Sequence, residues 1–344
     1  MTTRENILRA VRFESPDSIP MYFHINDSCW QHYPQDELQE LMLAHPYLFP
    51  DYQRVEKVTP DFRGNALAGT PYTDEWGCVW ETTENGIVGA VTGHPLDDWA
   101  KLAQYTPPDA DLFANWQLLA TQYATQRANG ELIRGSLEHG HTFLRACDIH
   151  GYENVLYDLM DEEPAIQQLL AMIESYNVAV VQHYIDLGVE WMSYPEDLGM
   201  QVGPMISPSL FTQYFRPIYQ RMIAPARAAG CVIHMHSDGD LHELIDDLTE
   251  GGVEVINLQD LVNGIDWIQE KLVGRVCVDL DIDRQEITRF GTPAEIDKLI
   301  REEVTRLSTP QGGLMMIYGL YPGVPIDNVK ALMDAMERYA GFYA

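Results

Sequence analysis

The chain has 344 residues, 46% hydrophobic and 22% charged, which is enough apolar material for a large core and too much for a disordered polymer. Its 52 Asp and Glu against 22 Lys and Arg give a formal charge of −30, so most of the surface repels phosphate backbones and anionic lipid, and nucleic-acid and membrane-surface roles are set aside. The opening MTTRENILRAVRFESPDSIP has no apolar leader core, no apolar run nears the ~18 residues of a membrane span, and the five cysteines lack a Cys-x-x-Cys pair; a reduced, cytoplasmic protein is expected.

In chain order, short β-branched runs alternate with longer amphipathic stretches. The runs at 18–25, 131–137, 189–195, 231–236, 253–259, 275–281 and 313–319 predict strands. The stretches at 163–187, 207–230, 239–251, 293–308 and 325–339 predict helices, with Ser207-Pro208 and Thr292-Pro293 as start signals and Gly188 as a stop. Such alternation implies a parallel sheet. Seven strand segments without a linker predict one α/β domain over residues 1–344, a (β/α)8 TIM barrel with an N-terminal helical and β-hairpin elaboration. No Gly-x-Gly-x-x-Gly follows a strand, so no nucleotide cofactor is expected. Between Gly64 and Gly93 the rhythm breaks; Asn85-Gly86 signals a hairpin, and 57–111 reads as an insertion or lid over the barrel.

Polar residues follow nearly every predicted strand. Glu138, His139 and His141 follow the second, Glu196 and Asp197 the third, and His236-Ser237-Asp238-Gly239 the fourth. Gln259 and Asp260 follow the fifth, Asp279, Asp281 and Asp283 mark the sixth, and Tyr318 and Tyr321 lie near the last. In a (β/α)8 barrel these ends converge on one mouth, where the chemistry sits. His236, Asp238, Asp197 and Glu138 are therefore the expected catalytic set. Gln259, Asp281 and Tyr318, with Trp76 from DEWGCVW, are expected to bind substrate, and the five named strand-end residues Glu138, Asp197, His236, Gln259 and Asp281 to share a cavity. Only one histidine of the HMH run, His236, enters this set; His234 is read as a packed residue on the other strand face. Gly239 is expected to open the next helix with its N–H groups toward the pocket.

The turn HMHSDGD, with VEVINLQ after it, resembles the signature turn of the uroporphyrinogen decarboxylase superfamily, which includes the corrinoid-dependent methyltransferases. RENILRAVRFESPDSIP, GSLEHGHTFLRACDIHGYENVLYDLMDEEP, DLGMQVGPMISPSLFTQYFRPIY, DLDIDRQEITRFGTPAEI and GGLMMIYGLYPGVPIDNVKALMDA resemble its other blocks in order, over almost the whole chain. The decarboxylases of that family grip their substrate's carboxylates with an Arg-rich N-terminal loop, whereas this chain has no Lys or Arg between Arg12 and Arg54. The methyltransferase branch binds zinc through one His and two Cys. Those positions fall on His236, Asp238 and near Tyr318, so the resemblance implies a zinc or other divalent ion held by His236, Asp238 and Glu138, or no metal. The resemblance implies a methyltransferase that demethylates a small methoxy or amine compound and passes the methyl group to a corrinoid protein or a thiol. The corrinoid would be carried by that partner protein, and a homodimer is allowed. Porphyrinogen decarboxylation is the alternative, and a non-catalytic binder on the same barrel is a third class.

Overall fold

In the computed structural model, which describes residues 1–343, ten strands run along the chain. They are β1 (Met21–Ile25), β2 (Tyr72–Thr73), β3 (Val79–Glu81), β4 (Ala90–Gly93), β5 (Arg134–Ser136), β6 (Trp191–Pro195), β7 (Val232–Ser237), β8 (Val255–Gln259), β9 (Cys277–Asp281) and β10 (Leu314–Leu320). The chain packs as two compact units. One comprises Met1–Leu67, Glu84–Ile87 and Asn257–Ala344, the other Ala68–Thr83 and Val88–Ile256.

The second of these units carries β5, β6 and β7 as parallel neighbours. Between β5 and β6 runs the helix Pro164–Asp186. It opens on Pro164, Glu163 accepts the Ala165 N–H, and Ile166, Leu169, Ile173, Val180 and Val181 recur at helical spacing. These five side chains are essentially fully buried, each burial being worth ~1.5–3 kcal/mol. Gly135 lets that helix approach β5, because a Cβ there would lie 2.7 Å from the Tyr184 ring. In the same unit β2, β3 and β4 form a small antiparallel sheet. Asp74 closes the β2–β3 turn by accepting the Trp76 and Cys78 N–H groups. Asn85-Gly86 lies in the longer β3–β4 connection rather than in a two-residue turn.

The first unit carries β1, β10 and β9 in parallel register, Met21 opposite Met316 and Leu314 opposite Val278. The helix Pro293–Leu307 begins at a reciprocal capping box between Thr292 and Glu295. It and Ile326–Ala340 present Ile296, Ile300, Val304, Val329, Leu332 and Met336 to the core.

Seven parallel strands alternating with helices are the α/β, TIM-barrel-like class expected from the sequence. Among the described residues no eighth strand joins them, and no helix is long and apolar enough to cross a membrane. Two expected elements are about half their expected length or less. Only Ile245–Glu250 of 239–251 is helical, and only Arg134–Ser136 of 131–137 is strand.

Candidate active site

The register of β5, β6 and β7 brings three strand ends level. Pro195 lies opposite His236, the Glu196 N–H donates to the His236 carbonyl, and the Gly140 N–H donates to the Pro195 carbonyl. The residues just past these ends, Glu138 and His139, Glu196 and Asp197, and His236 to Asp238, therefore emerge together.

Asp197 is the centre. Its Oδ1 accepts the Asp238 backbone N–H at 3.0 Å and His139 Nε2 at 3.3 Å, and lies 3.4 Å from His236 Nε2. The two imidazoles tilt toward each other with centroids 5.6 Å apart, and Asp238 Oδ1 stands 3.8 Å from His236 Nε2 at the rim. Burial opposes the charge on Asp197, but the hydrogen bonds and positive field of His139 and His236 outweigh it and hold this carboxyl far below the usual carboxylate range. One ligand atom from each of His139, Asp197 and His236 lies within 4.8 Å of the other two. Two imidazole nitrogens and one carboxylate oxygen are a donor set that suits a divalent metal ion.

The support behind this centre is neutral and buried. Glu196 is wholly enclosed, and its Oε1 accepts the Thr142 and Leu144 N–H groups at 2.9 Å each. Burial pushes its carboxyl up to about 8 despite those bonds, and pushes His141, 3.9 Å away, down to about 3. Both are therefore uncharged near neutrality, and the pair fixes the 139–142 loop that carries His139. On the other side the Leu198 N–H donates to Ser237 Oγ. Gly199 and Gly239 meet backbone to backbone: a Cβ on Gly239, where φ is +83°, would stand 2.2 Å from the Gly199 carbonyl carbon. The Asp240 N–H donates to Met200 O, so the N–H expected to face the pocket is already used and the helix starts only at Ile245.

Glu138 is directed elsewhere. It accepts Arg145 Nη2 at 3.3 Å, and the same guanidinium pairs with Asp74 at 2.9 Å and Asp148 at 3.8 Å. Burial raises Glu138 and takes Asp148 up to about 6, each against the pull of Arg145. Trp76 is buried, its ring edge-on to Tyr176 and 5.6 Å from the Arg145 guanidinium. The indole packs the interior rather than forming an open lid face. His234 shares the face of His236, because residues two apart in a strand point the same way, and stands 5.2 Å from Trp191.

The other three expected residues belong to the first unit. Gln259 ends β8. Asp281, at the end of β9, is buried and accepts Arg284 Nη2 at 2.6 Å. Tyr318 is a core residue: its ring packs 5.2 Å from Phe23 and its hydroxyl donates to Thr288. His139 and Arg145 are the residues that the sequence reading left out of the site. Only the crowding of Glu138, His139 and His141 after one strand signals the first, and no local pattern signals the second.

Residues 75–339 match the family model for uroporphyrinogen decarboxylase (URO-D). The chain belongs to this family. Uroporphyrinogen decarboxylase of Christiangramia forsetii is 21% identical over 262 residues, 73% of this chain and 73% of that protein. Uroporphyrinogen decarboxylase of Danio rerio is 23% identical over 184 residues, 51% of this chain and 47% of that one. A methyltransferase from Methanosarcina mazei, 17% identical, superposes over the whole of both chains with a TM-score of 0.67, which shows that this URO-D member shares its fold.

Proposed function

We propose that this URO-D family member is a methyltransferase that demethylates a small methoxy or amine compound and passes the methyl group to a corrinoid protein or a thiol. The observation carrying this reading is the Asp197 centre, flanked by His139 and His236, at three level strand ends. When a methyl group leaves oxygen or nitrogen, the acceptor's electron pair forms the new bond to carbon and the old bonding pair stays on the heteroatom. That atom needs a positive partner at that moment. In this reading the His139–Asp197–His236 centre supplies it, by proton transfer or as the ligand set of a divalent ion.

Charge separates this reading from decarboxylation of a porphyrinogen. Gripping several carboxylates needs available cations, yet the buried Arg145 is paired with Asp74, Glu138 and Asp148, and the chain carries a net −30. The decarboxylase names of the two relatives keep that activity as the competing outcome.

The test is an anaerobic assay of the purified protein with methoxyaromatic compounds, methanol and methylamines, each with reduced free corrinoid or a simple thiol as acceptor. Methylated acceptor should form, and His236→Ala should abolish its formation while leaving the circular dichroism spectrum unchanged. Robust conversion of uroporphyrinogen, or full methyl transfer by His236→Ala, would overturn the reading.

A further inference from the structure

We infer that His139 Nε2, the Asp197 carboxylate and His236 Nε2 bind one divalent metal ion, and that this centre acts on an oxygen-bound methyl group rather than a sulfur-bound one. The ligand set departs from the His–Cys–Cys set implied by the resemblance: it keeps His236, takes its other two ligands from the ends of β5 and β6, and omits Glu138. The second clause deepens the methyltransferase reading and rests on it; the first does not.

Distances within the molecule argue for an ion. Five other imidazole–carboxylate pairs are close: His32–Glu84, His150–Asp158 and His183–Asp111 at 2.8 Å, His45–Asp334 at 3.0 Å and His242–Asp240 at 2.6 Å. These are ordinary hydrogen-bond lengths. At Asp197 both imidazoles stand back, at 3.3 and 3.4 Å from the same oxygen. Two ligands at ~2.0–2.1 Å from a tetrahedral ion lie roughly 3.4 Å apart. The two Asp197–imidazole separations are those expected of ligands on one ion, and they are longer than in these five pairs.

The surroundings agree. The Asp238 N–H fixes Asp197 Oδ1, Glu196 pins the loop bearing His139, and the Gly199–Gly239 contact holds the turn after His236. Such supporting bonds orient ligands before a metal arrives. His139 is half-exposed, so the centre is open to solvent on one side, as a site that receives substrate must be. Glu138 is committed to Arg145.

The donor set also points to the substrate atom. A divalent ion with one carboxylate and two neutral imidazoles keeps a net charge of +1, whereas two thiolates would bring it to zero. When bound, the more positive ion supplies Lewis-acid stabilisation to an alkoxide or phenoxide leaving group. Soft sulfur ligands suit an ion that activates a thiol, and the first cysteine of the implied His–Cys–Cys set is replaced here by Asp238.

The experiment uses the full chain, stripped with chelator and titrated with Co2+ by visible absorption and with Zn2+ by calorimetry. One equivalent should bind. His139→Ala, Asp197→Asn and His236→Ala should each weaken binding about 100-fold or more, and Glu138→Gln should leave it within about threefold. Thermal unfolding of each variant checks the fold, and the wild-type titration stands even if a variant fails to fold. Binding below one equivalent, or unchanged affinity in His139→Ala, would overturn the site. Adding methoxyphenol or phenol should shift the cobalt spectrum, and a simple thiol should produce no sulfur-to-cobalt band; a strong thiol band would overturn the oxygen assignment. Metal binding without methyl transfer refutes the proposed function and with it the second clause but leaves the metal site standing, whereas methyl transfer by metal-free protein refutes this inference alone.

Discussion

Replacing Arg145 with Met tests the electrostatic interior behind the candidate active site. The guanidinium is 8% exposed and pairs with Asp74, 10% exposed, at 2.9 Å, with Asp148, 20% exposed, at 3.8 Å, and with the more open Glu138. Methionine fills much of the volume but removes the charge, leaving two largely buried carboxylates without their cation. Removing one partner of such a buried pair costs about 3–5 kcal/mol. Asp74 accepts from the Trp76 and Cys78 N–H groups and Trp80 Nε1, and burial already raises the Asp148 carboxyl to about 6. The cost should therefore depend on pH: full at pH 8, and smaller by roughly 1–2 kcal/mol at pH 5, where Asp148 takes up a proton. Urea unfolding followed by tryptophan fluorescence measures this directly, because Trp76 lies against Arg145 and Trp80 bonds Asp74. A loss under about 1 kcal/mol at pH 8, or the same loss at both pH values, would refute the reasoning.

Asp148→Asn tests the same region from the acid side. Burial raises Asp148 from 3.8 to about 6, so its contribution is fully present below its unfolded value and is lost as pH rises through 6, on the order of 3 kcal/mol; the variant should match wild type near pH 4 and exceed it above pH 6 in a thermal-unfolding series. Glu303→Gln concerns the first unit, where Glu303 and Asp260 are both buried and burial followed by the Asp260 charge raises Glu303 well above the carboxylate range. Stability carried by its proton is lost as pH rises through the folded value, so differential scanning fluorimetry should show a flatter alkaline limb for the variant. Gly239→Ala cannot keep the approach to Gly199 at φ +83°, and should cost about 2 kcal/mol or more while lowering metal affinity, because it displaces the Asp238 N–H from Asp197; unchanged melting and metal binding would show that this approach is not needed.

Much of the fold was legible because β-branched runs and 3.6-residue periods are local signals. All seven parallel strands fall inside or within one residue of the runs read from sequence, and Pro164–Asp186, Pro293–Leu307 and Ile326–Ala340 lie close to their expected bounds. The helix expected from 239 fails over its first six residues for a non-local reason: the 199–203 loop claims the Asp240 N–H and, through Asp240 Oδ2, the Gly203 N–H binds back to it. Of the residues expected from sequence, Asp197 and His236 come together in the candidate centre, where strand geometry alone governs their position. Past the end of β5 no period applies, and Glu138, His139 and His141 are separated by their partners rather than by a local pattern. Glu196, more than fifty residues away, grips the loop beside His141, and Arg145 draws Glu138 aside. Arg145 itself is defined by Asp74, 71 residues earlier.

The charge arrangement of the second unit connects the site to the choice between the two activities. A polycarboxylate needs several cations spread over a broad surface, and its affinity grows with their number. Here the buried Arg145 meets three carboxylates, so that cluster is itself net negative. What the unit concentrates is a single small locus, the His139–Asp197–His236 centre, whose net charge with a divalent ion would be +1. One localised positive charge matches one heteroatom that becomes negative as a bond to carbon breaks. It does not match a substrate that arrives with many charges. On the proposed reading, the acidic surroundings suit a neutral methoxy donor at the ground state and the positive locus acts on the oxygen of the leaving group in the transition state, which is where binding energy accelerates a reaction.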